Sequence, residues 1–235
     1  KNGAGVLRLQ GTSNYSGGTV INSGTVIFTD GDSGKNFGTG GITFNGSGAL
    51  SFGPNTSWAF SAGGTIPLSR PVTVNNGSIA GFYYNSPNTT MNTSAAITGD
   101  GGIISGKDPV VTYGGGDGTI SINFTSTGNT FTGPLTISNA TATFNSLADG
   151  SGPMILNSNF TYGSGATANL SVPSRLVDVR GNVTITNSAG SSRTVTFGDV
   201  STTTAGAKTL TLSNASTNGA GFISGNISNG AGTIS

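Results

Sequence analysis

Three residue types that carry much of protein chemistry are missing from this sequence: cysteine, histidine and glutamate. Without cysteine the chain has no disulfides and no thiolate metal ligands. Without histidine a serine-type triad lacks its usual general base. Because all eight acidic residues are aspartate, a calcium loop of the EF-hand kind also lacks the glutamate that completes it. We therefore expect no cofactor, no metal and no catalysis.

Charged residues are scarce. They make up 7% of the 235 residues, and nine cations with eight anions leave a formal charge of +1. Such a chain has no basic field, so we expect no nucleic acid partner. No apolar run approaches the roughly 20 residues that cross a bilayer, so we expect no direct membrane insertion of this segment. Apolar residues nevertheless reach 33%, which argues against a wholly disordered chain.

The sequence is instead rich in glycine, with 41 residues arranged in a repeating pattern. The pattern is clearest over 5–28, where short apolar alternations, as at Leu7 and Leu9, are separated by small residues. Each alternation predicts a short strand with one buried face. The glycines expected to provide unusual backbone conformations at corners are Gly11, Gly17, Gly18 and Gly24.

The pattern returns downstream, which makes it an internal repeat. A second copy covers 129–144, and a third, looser copy covers 208–235. The second copy aligns with the first without gaps over fourteen positions. This alignment pairs Phe131 with Tyr15, Gly133 with Gly17, Ile137 with Ile21 and Phe144 with Phe28.

The signature resembles the autotransporter-associated β-strand repeat, also called the passenger-associated transport repeat, of large bacterial surface proteins. The residues that carry the resemblance are Leu7, Leu9, Gly11, Tyr15, Gly17, Gly18, Ile21 and Gly24. The second copy departs from it at Pro134 and Ala140, where the first copy has glycine. The resemblance implies a right-handed parallel β-helix that is exported and displayed outside the cell. It implies no particular ligand, because such passengers include adhesins, enzymes and plain stalks.

The same rhythm of short strands bounded by Gly, Asn or Pro continues along the chain. Further strands are predicted at 42–44, 49–52, 58–60, 72–74, 78–84, 110–113, 154–156, 160–162, 170–172, 176–179, 183–185, 195–197 and 210–212. No helix of ordinary length can be placed, since Gly, Asn, Ser and Thr interrupt every window. The fold class is therefore all-β.

A right-handed parallel β-helix accounts best for the repeat and the small corner residues. With roughly 20 to 25 residues per coil, residues 1–235 would form a single β-solenoid segment of about ten short coils. Asn45-Gly46 and Asn76-Gly77 are also good hairpin turns, so antiparallel pairing stays open at these two places. We expect the irregular stretch 85–93 to be a protruding loop.

Two motifs suggest phosphate or calcium binding, and both are better explained without a ligand. Residues 101–107 match the first seven positions of a phosphate-binding loop. However, Asp108 replaces the hydroxyl residue that binds magnesium, and Pro109 leads into a strand rather than a helix. The aspartates within 30–32 and the glycine-rich stretch 113–118 resemble calcium loops, but they lack the further ligands and tandem copies that such loops need.

An alternative to a structural role is a polysaccharide-acting β-helix enzyme, either a lyase or a glycoside hydrolase. Such enzymes place two or three acids on one face for acid and base roles. Asp178 and Asp199 are the best pair, with Arg180 and Arg193 nearby to neutralise an acidic sugar. Since no third acid is evident, we favour ordinary surface charge pairs.

Aromatic side chains suggest contact with surface glycans. The candidates are Trp58, Tyr83 and Tyr84, with Tyr113 as a further flat ring. Strand alternation places Tyr83 on the opposite face from Phe82 and Tyr84, so one face of this trio is expected to be exposed. The competing explanation is stacking inside the coils, which the repeat phase suggests for Phe28, Phe44, Phe52 and Phe144.

Thr-x-Thr units begin at Thr125, Thr141, Thr184, Thr194, Thr202 and Thr209. In ice-binding solenoids, a regular ladder of such units forms a flat array of hydroxyl and methyl groups. The spacing along this sequence is irregular, and threonine is a favoured strand residue in any case. Ice binding therefore ranks behind the other two functions.

Together these observations predict a non-catalytic structural or adhesive segment of an extracellular bacterial surface fibre or autotransporter passenger. The sequence enters the repeat within its first residues and is still repeating at its last, so we expect a fragment of a longer repetitive protein. Its expected partners are like subunits or further repeats stacked end to end, together with surface glycans.

Overall fold

The regular elements of this chain are almost all short β-strands. We describe them from a computed structural model, which covers 1–9, 11–28, 35–52, 65–84, 90–107, 121–190, 192–215 and 221–235. The strands are β1 (Val6–Leu9), β2 (Thr19–Ile21), β3 (Gly24–Phe28), β4 (Ile42–Phe44), β5 (Ser47–Phe52), β6 (Thr65–Leu68), β7 (Val72–Val74), β8 (Ile79–Tyr84), β9 (Thr90–Thr93), β10 (Ile97–Thr98), β11 (Gly102–Lys107), β12 (Ser121–Phe124), β13 (Leu135–Ser138), β14 (Thr141–Phe144), β15 (Met154–Leu156), β16 (Phe160–Tyr162), β17 (Leu170–Val172), β18 (Val177–Val179), β19 (Val183–Asn187), β20 (Thr194–Phe197), β21 (Val200–Ser201), β22 (Ala207–Lys208), β23 (Leu210–Asn214), β24 (Gly221–Ile223) and β25 (Thr233–Ile234). A single 3-10 turn spans Lys35–Phe37, and the described ranges contain no α-helix.

The strands form five sheets in which every pairing between described strands is parallel. Sheet I has the order β1-β3-β5-β8-β11-β13-β15-β18-β21, and sheet II has the order β23-β19-β16-β14-β12-β9-β6. Sheets III, IV and V have the orders β10-β7-β4-β2, β17-β20-β24 and β22-β25. Neighbours in a sheet are never consecutive in the chain, so the described strands form no hairpin.

The chain visits the sheets in rotation. After β5 in sheet I it enters sheet II as β6 and sheet III as β7, and then repeats this order as β8, β9 and β10. From β15 onward, sheet IV takes the place of sheet III. We call one rotation a pass. A pass takes 19 residues from Val6 to its partner Thr25, and 32 residues from Ser47 to its partner Ile79.

These observations confirm the all-β prediction, and the parallel passes are consistent with a β-helix. The two hairpin dipeptides lie instead where the chain moves from one sheet to another. Asn45-Gly46 joins β4 to β5, and Asn76-Gly77 lies between β7 and β8. At the second turn the Ser78 amide donates to the Asn75 carbonyl oxygen at 2.9 Å, and Gly77 has a φ of 73°. A side chain at position 77 would be strained in this conformation.

Strand pairing overrides local sequence in two places. The loop predicted over 85–93 is wrong at its end, because Thr90–Thr93 forms β9 and pairs with β6 and β12. Residues 85–89 lie outside the described ranges, as do the strands predicted at 58–60 and 110–113. Strand β6 was not predicted because it contains Pro67, which cannot donate to a ladder. Proline is tolerated there because β6 is the edge strand of sheet II.

The two sequence repeats do not occupy equivalent places in the fold. Ile21 and Phe28 lie in sheets III and I, whereas their aligned partners Ile137 and Phe144 lie in sheets I and II. The second copy is therefore displaced by one sheet. Since every sheet needs the same alternation of inward apolar and outward polar residues, the same short pattern fits any of them.

A column of phenylalanine rings runs through the core between the sheets. Its members belong to successive passes and their centroids lie 4.2 to 6.4 Å apart. The column consists of Phe44, Phe82, Phe124, Phe144, Phe160 and Phe197. The predicted burial of Phe28, Phe44 and Phe144 is confirmed, and the side chain of Phe52 lies outside the described set. Aromatic stacking of this kind adds to the burial of apolar area.

Asparagine and aspartate side chains join successive passes from outside the core. In each case a side-chain oxygen accepts a backbone N–H that lies 25 or 27 residues later, at 2.8 to 3.1 Å. The pairs are Asp149 with Ser174, Asn159 with Thr184, Asn169 with Thr194, Asp178 with Thr203, Asn182 with Thr209 and Asp199 with Asn226. They satisfy amides at corners, where the parallel ladder is interrupted.

Arg175 joins passes from inside the structure, although the sequence gives no sign of it. Its side chain is fully buried and lies 5.4 Å from the centroid of the Phe131 ring. Its guanidinium donates to four backbone carbonyl oxygens at 2.7 to 3.0 Å, those of Phe131, Gly133, Ala148 and Gly152. Burial lowers the pKa of Arg175 to about 10, with a smaller opposing effect from Asp149, so the group remains a cation at neutral pH.

We expect Arg175→Met to lower the free energy of unfolding by about 3 kcal/mol or more, because several buried carbonyl oxygens lose their donors. Guanidinium unfolding of residues 1–235 measures the change. Lys208→Met is the control, since the Lys208 ammonium makes one exposed hydrogen bond and its loss should cost no more than about 0.5 kcal/mol. Equal midpoints for the two variants would contradict this role of Arg175.

Candidate functional site

Tyr83 is the predicted glycan contact that the structure places on a surface. It belongs to β8, where Phe82 is fully buried and Tyr83 is half-buried. Tyr83 therefore lies on the outward face of sheet I, as strand alternation predicted. Trp58, Tyr113 and the side chain of Tyr84 lie outside the described residues.

A shallow groove lies beside Tyr83 on the outward face of sheet I, and we call it the sheet groove. Its floor is a row of residues in register across four strands: Thr25, Ala49, Gly81 and Ile104. The floor is low because its residues are small. A Cβ atom at Gly81 would lie 2.5 Å from Cε2 of Tyr83, so the tyrosine ring occupies the space of the missing side chain.

The sheet groove consists of two adjoining depressions of about 390 and 320 Å³, which share Ile79 and Ile104. Tyr83 lines the larger one, and Asn76 and Asp100 line the smaller one. The Asp100 carboxylate accepts a hydrogen bond of 2.8 Å from the hydroxyl of Thr132. Among the described residues, Asp100 is the only charged side chain that lines either depression.

This combination of groups suits an uncharged sugar better than an acidic one. The apolar faces of sugar rings pack against aromatic and aliphatic side chains such as Tyr83 and Ile104, and their hydroxyls bond to amides and carboxylates. An acidic sugar would meet the negative charge of Asp100, and no lysine or arginine among the described lining residues would compensate for it.

The acids proposed for an enzyme are each bonded to the following pass. The Asp178 carboxylate accepts hydrogen bonds from Nε of Arg180 at 2.7 Å and from the hydroxyl and amide of Thr203 at 2.7 and 2.8 Å. Oδ1 of Asp199 accepts the Asn226 amide at 2.8 Å. Arg193 lies near Tyr162, whose pKa is raised by burial and lowered to a lesser extent by the charge of Arg193.

The protonation of Asp178 follows from these bonds. Burial alone would raise its pKa, but the hydrogen bonds from Thr203, the hydrogen bond from Arg180 and the charge of Arg180 together lower the pKa below its ordinary value. An acid held in this state is a poor proton donor at neutral pH. Its geometry is that of a link between two corners of the fold.

The sequence motifs for phosphate and metal find no site in the described structure. The phosphate-loop match falls on β11, whose backbone pairs with β8 and β13. Both calcium-like stretches lie outside the described residues. Elsewhere in the described ranges, no three potential metal-ligating side chains come together. The same ranges also contain no helix long and apolar enough to cross a bilayer.

One family comparison matches the chain. Residues 1–27 match the Passenger-associated-transport-repeat family, and this stretch contains β1, β2 and most of β3. No curated protein and no solved structure matches the chain significantly. The match supports an autotransporter passenger repeat at the start of the chain, in agreement with the resemblance found at Leu7 to Gly24.

Sequence inspection missed most of the sheet groove. Asp100, Ile79 and Ile104 attract no attention on their own, and Ala49 and Gly81 look like ordinary small residues. The available signal was the occurrence of small residues at outward positions of neighbouring strands. This signal can be read only when the register between the strands is known.

We expect Asp178→Asn to lower the free energy of unfolding at pH 7 by about 2 kcal/mol, because charge-assisted hydrogen bonds are lost. The pKa of Asp178 is lowered in the folded state, so its contribution is complete above the unfolded value of about 3.9 and falls as pH drops through the folded value. The difference between the wild type and the variant should therefore shrink below about pH 4. Guanidinium unfolding at pH 7 and at pH 3 measures it.

Asp199→Asn is the matched control, because an asparagine Oδ1 can still accept the Asn226 amide. We expect a change within about 0.5 kcal/mol. If Asp178→Asn behaves like this control at pH 7, the hydrogen bonds of Asp178 do not contribute to stability as described.

Proposed function

We propose that this chain is a structural and adhesive segment of a bacterial surface passenger. In this proposal it is a single right-handed parallel β-helix, belongs to a longer extracellular protein, binds surface glycans and catalyses no reaction. The match of residues 1–27 to the passenger repeat supports the passenger assignment.

The rotation of the chain through the sheets supports a β-helix. Parallel strands in one sheet need a crossover connection, and such connections are right-handed in about 98% of cases. Here each crossover consists of strands in the other sheets, and the whole set surrounds a continuous apolar core. The same geometry repeated along one axis would produce a rod.

The sheet groove is the observation that carries the adhesive role. It is an open depression with Tyr83 on one side and Asn76 and Asp100 at its far end. An open groove on a rod suits the internal residues of a long neutral glycan better than a small molecule, which needs a closed pocket.

The chemistry of the chain supports a non-catalytic role. It contains no histidine, cysteine or glutamate, and the two acids favoured for catalysis bond to neighbouring corners. In an enzyme, two such acids would need to face a common substrate.

Stacking with further repeats or like subunits is part of the proposal. Large apolar side chains are exposed in the outermost passes, including Val6 and Val20 near one end and Leu212 and Ile223 near the other. Another coil would bury these side chains and pair with the outer strands of sheet I. Light scattering and negative-stain microscopy at rising concentration test this, since a short rod that stays monomeric would contradict assembly between copies.

We expect residues 1–235 to bind neutral polysaccharides, and Tyr83→Ala to weaken binding by about threefold to tenfold, equal to the roughly 0.5–1.5 kcal/mol of one aromatic contact. A glycan array finds the ligand, and calorimetry with the best oligosaccharide measures the change. Tyr15→Ala is the control, because Tyr15 is also partly exposed but belongs to a different part of the fold.

Equal losses in the two variants, or no binding to any glycan, would contradict an adhesive role for the sheet groove. Turnover of the polysaccharide that disappears in Asp178→Asn or Asp199→Asn would instead establish the enzyme alternative.

A further inference from the structure

The outward face of sheet II differs from the sheet groove in both shape and chemistry. Its strands alternate regularly between inward buried residues and outward partly exposed residues, as in β12, β14 and β19. The inward residues include Phe124, Phe144 and Phe160 of the core column. The outward residues are small and uncharged, and they bear hydroxyl or amide groups.

These outward residues form two columns across the sheet. The first column follows the strand register from β9 to β23 and consists of Asn92, Asn123, Thr143, Thr161, Thr186 and Ser213. The second column lies two residues earlier on each strand and includes Ser121 paired with Thr141, and Thr184 paired with Thr211. Asn159 lies between these pairs and accepts the Thr184 amide at 2.8 Å. We call the two columns the threonine array.

The array has the spacing of a two-dimensional lattice. Neighbouring strands lie about 4.8 Å apart, and residues two positions apart on one strand are separated by about 6.6 Å. Oxygen atoms on the prism faces of ice repeat at similar distances in two perpendicular directions. A β-sheet with two threonine columns is therefore a template for such a face.

The threonine hydroxyls of the array are available to bind a ligand. Within the described residues, the side chains of Thr141, Thr143, Thr161, Thr184 and Thr186 form no hydrogen bond to the protein. Neither column contains a charged residue. Charged groups hold disordered water strongly, whereas alternating methyl and hydroxyl groups leave the first water layer free to adopt an ordered arrangement.

We propose that the threonine array binds ice. The array has no aromatic ring on which a single sugar would stack, and no charge that would select an ion or a charged partner. It presents instead a repeated lattice, which is complementary to a crystal surface rather than to one molecule. Ordered water held against the array would join the surface of an ice crystal through the threonine hydroxyls.

The structure removes the sequence argument against this function. The units at Thr141 and Thr184 belong to the array, although Thr-x-Thr spacing along the chain is irregular. The spacing is irregular because the passes differ in length, from 19 to 32 residues between paired strands. The extra residues lie in the connections, so they leave the alignment of the strands unchanged. The units that begin at Thr125, Thr194 and Thr202 lie outside both columns.

Thermal hysteresis and ice adsorption test the proposal on residues 1–235. We expect the wild type to lower the freezing point below the melting point and to coat ice when labelled with a fluorophore. Thr143→Tyr and Thr161→Tyr should each lose most of the hysteresis, since a bulky ring separates the array from a flat crystal face. Thr143→Lys, whose side chain remains in solvent, should show the same loss through its charge.

Thr196→Tyr is the matched control. Thr196 is also an outward, partly exposed strand threonine, but it belongs to sheet IV. We expect it to keep the hysteresis of the wild type, with melting temperatures confirming that all variants fold.

Two results would overturn ice binding. The first is a folded wild type without hysteresis or ice adsorption, or equal behaviour of array variants and Thr196→Tyr. The second is adsorption to crystalline cellulose or chitin, but not to ice, that the array variants abolish, since this would assign the array to a polysaccharide surface. The proposal does not depend on the sheet groove, because Tyr83→Ala should leave ice adsorption unchanged.

Discussion

Parallel pairing between successive passes is the constraint on which the rest of this structure depends. Strands of two to six residues are too short to be stable alone, and their backbone groups are satisfied only by the strands of the passes on either side. The pairing fixes which residues face inward. It also explains the composition, because each pass needs only a few apolar residues separated by small ones that turn the chain between sheets.

The same constraint explains why the passes can vary in length. The chain adds or removes residues in the connections while the strands keep their register, as the 19-residue and 32-residue passes illustrate. Interactions across passes then stabilise the corners where the ladder is interrupted. Arg175 does so from inside, with four carbonyl oxygens as acceptors, and aspartate and asparagine side chains do so from outside. A nearly uncharged chain thus uses its few ionisable groups as structural links.

The outward positions of the strands are not restricted by the core, so the faces of this fold differ in surface chemistry. Sheet I has an uneven face, where small residues such as Gly81 lie beside Tyr83 and form a groove with a carboxylate at its end. Sheet II has an even face with two columns of hydroxyl groups. Both faces rest on the same phenylalanine column, which holds them rigid. One scaffold therefore presents two independent binding surfaces.

The sequence by itself determined the fold class and the exclusions. Apolar alternation with frequent glycine predicts short strands, the absence of cysteine, histidine and glutamate removes many kinds of site, and the alternation of Phe82 and Tyr83 predicts which ring is outside. Only the tertiary structure decided which strands are neighbours. The aligned residues Ile21 and Ile137 lie in different sheets, Thr90–Thr93 became a strand, and Arg175 found acceptors up to 44 residues away. The physical reason is that register depends on the lengths of the connections, while each strand carries the same local pattern. The sheet groove and the threonine array are both products of register, so neither could be seen before the passes were aligned in space.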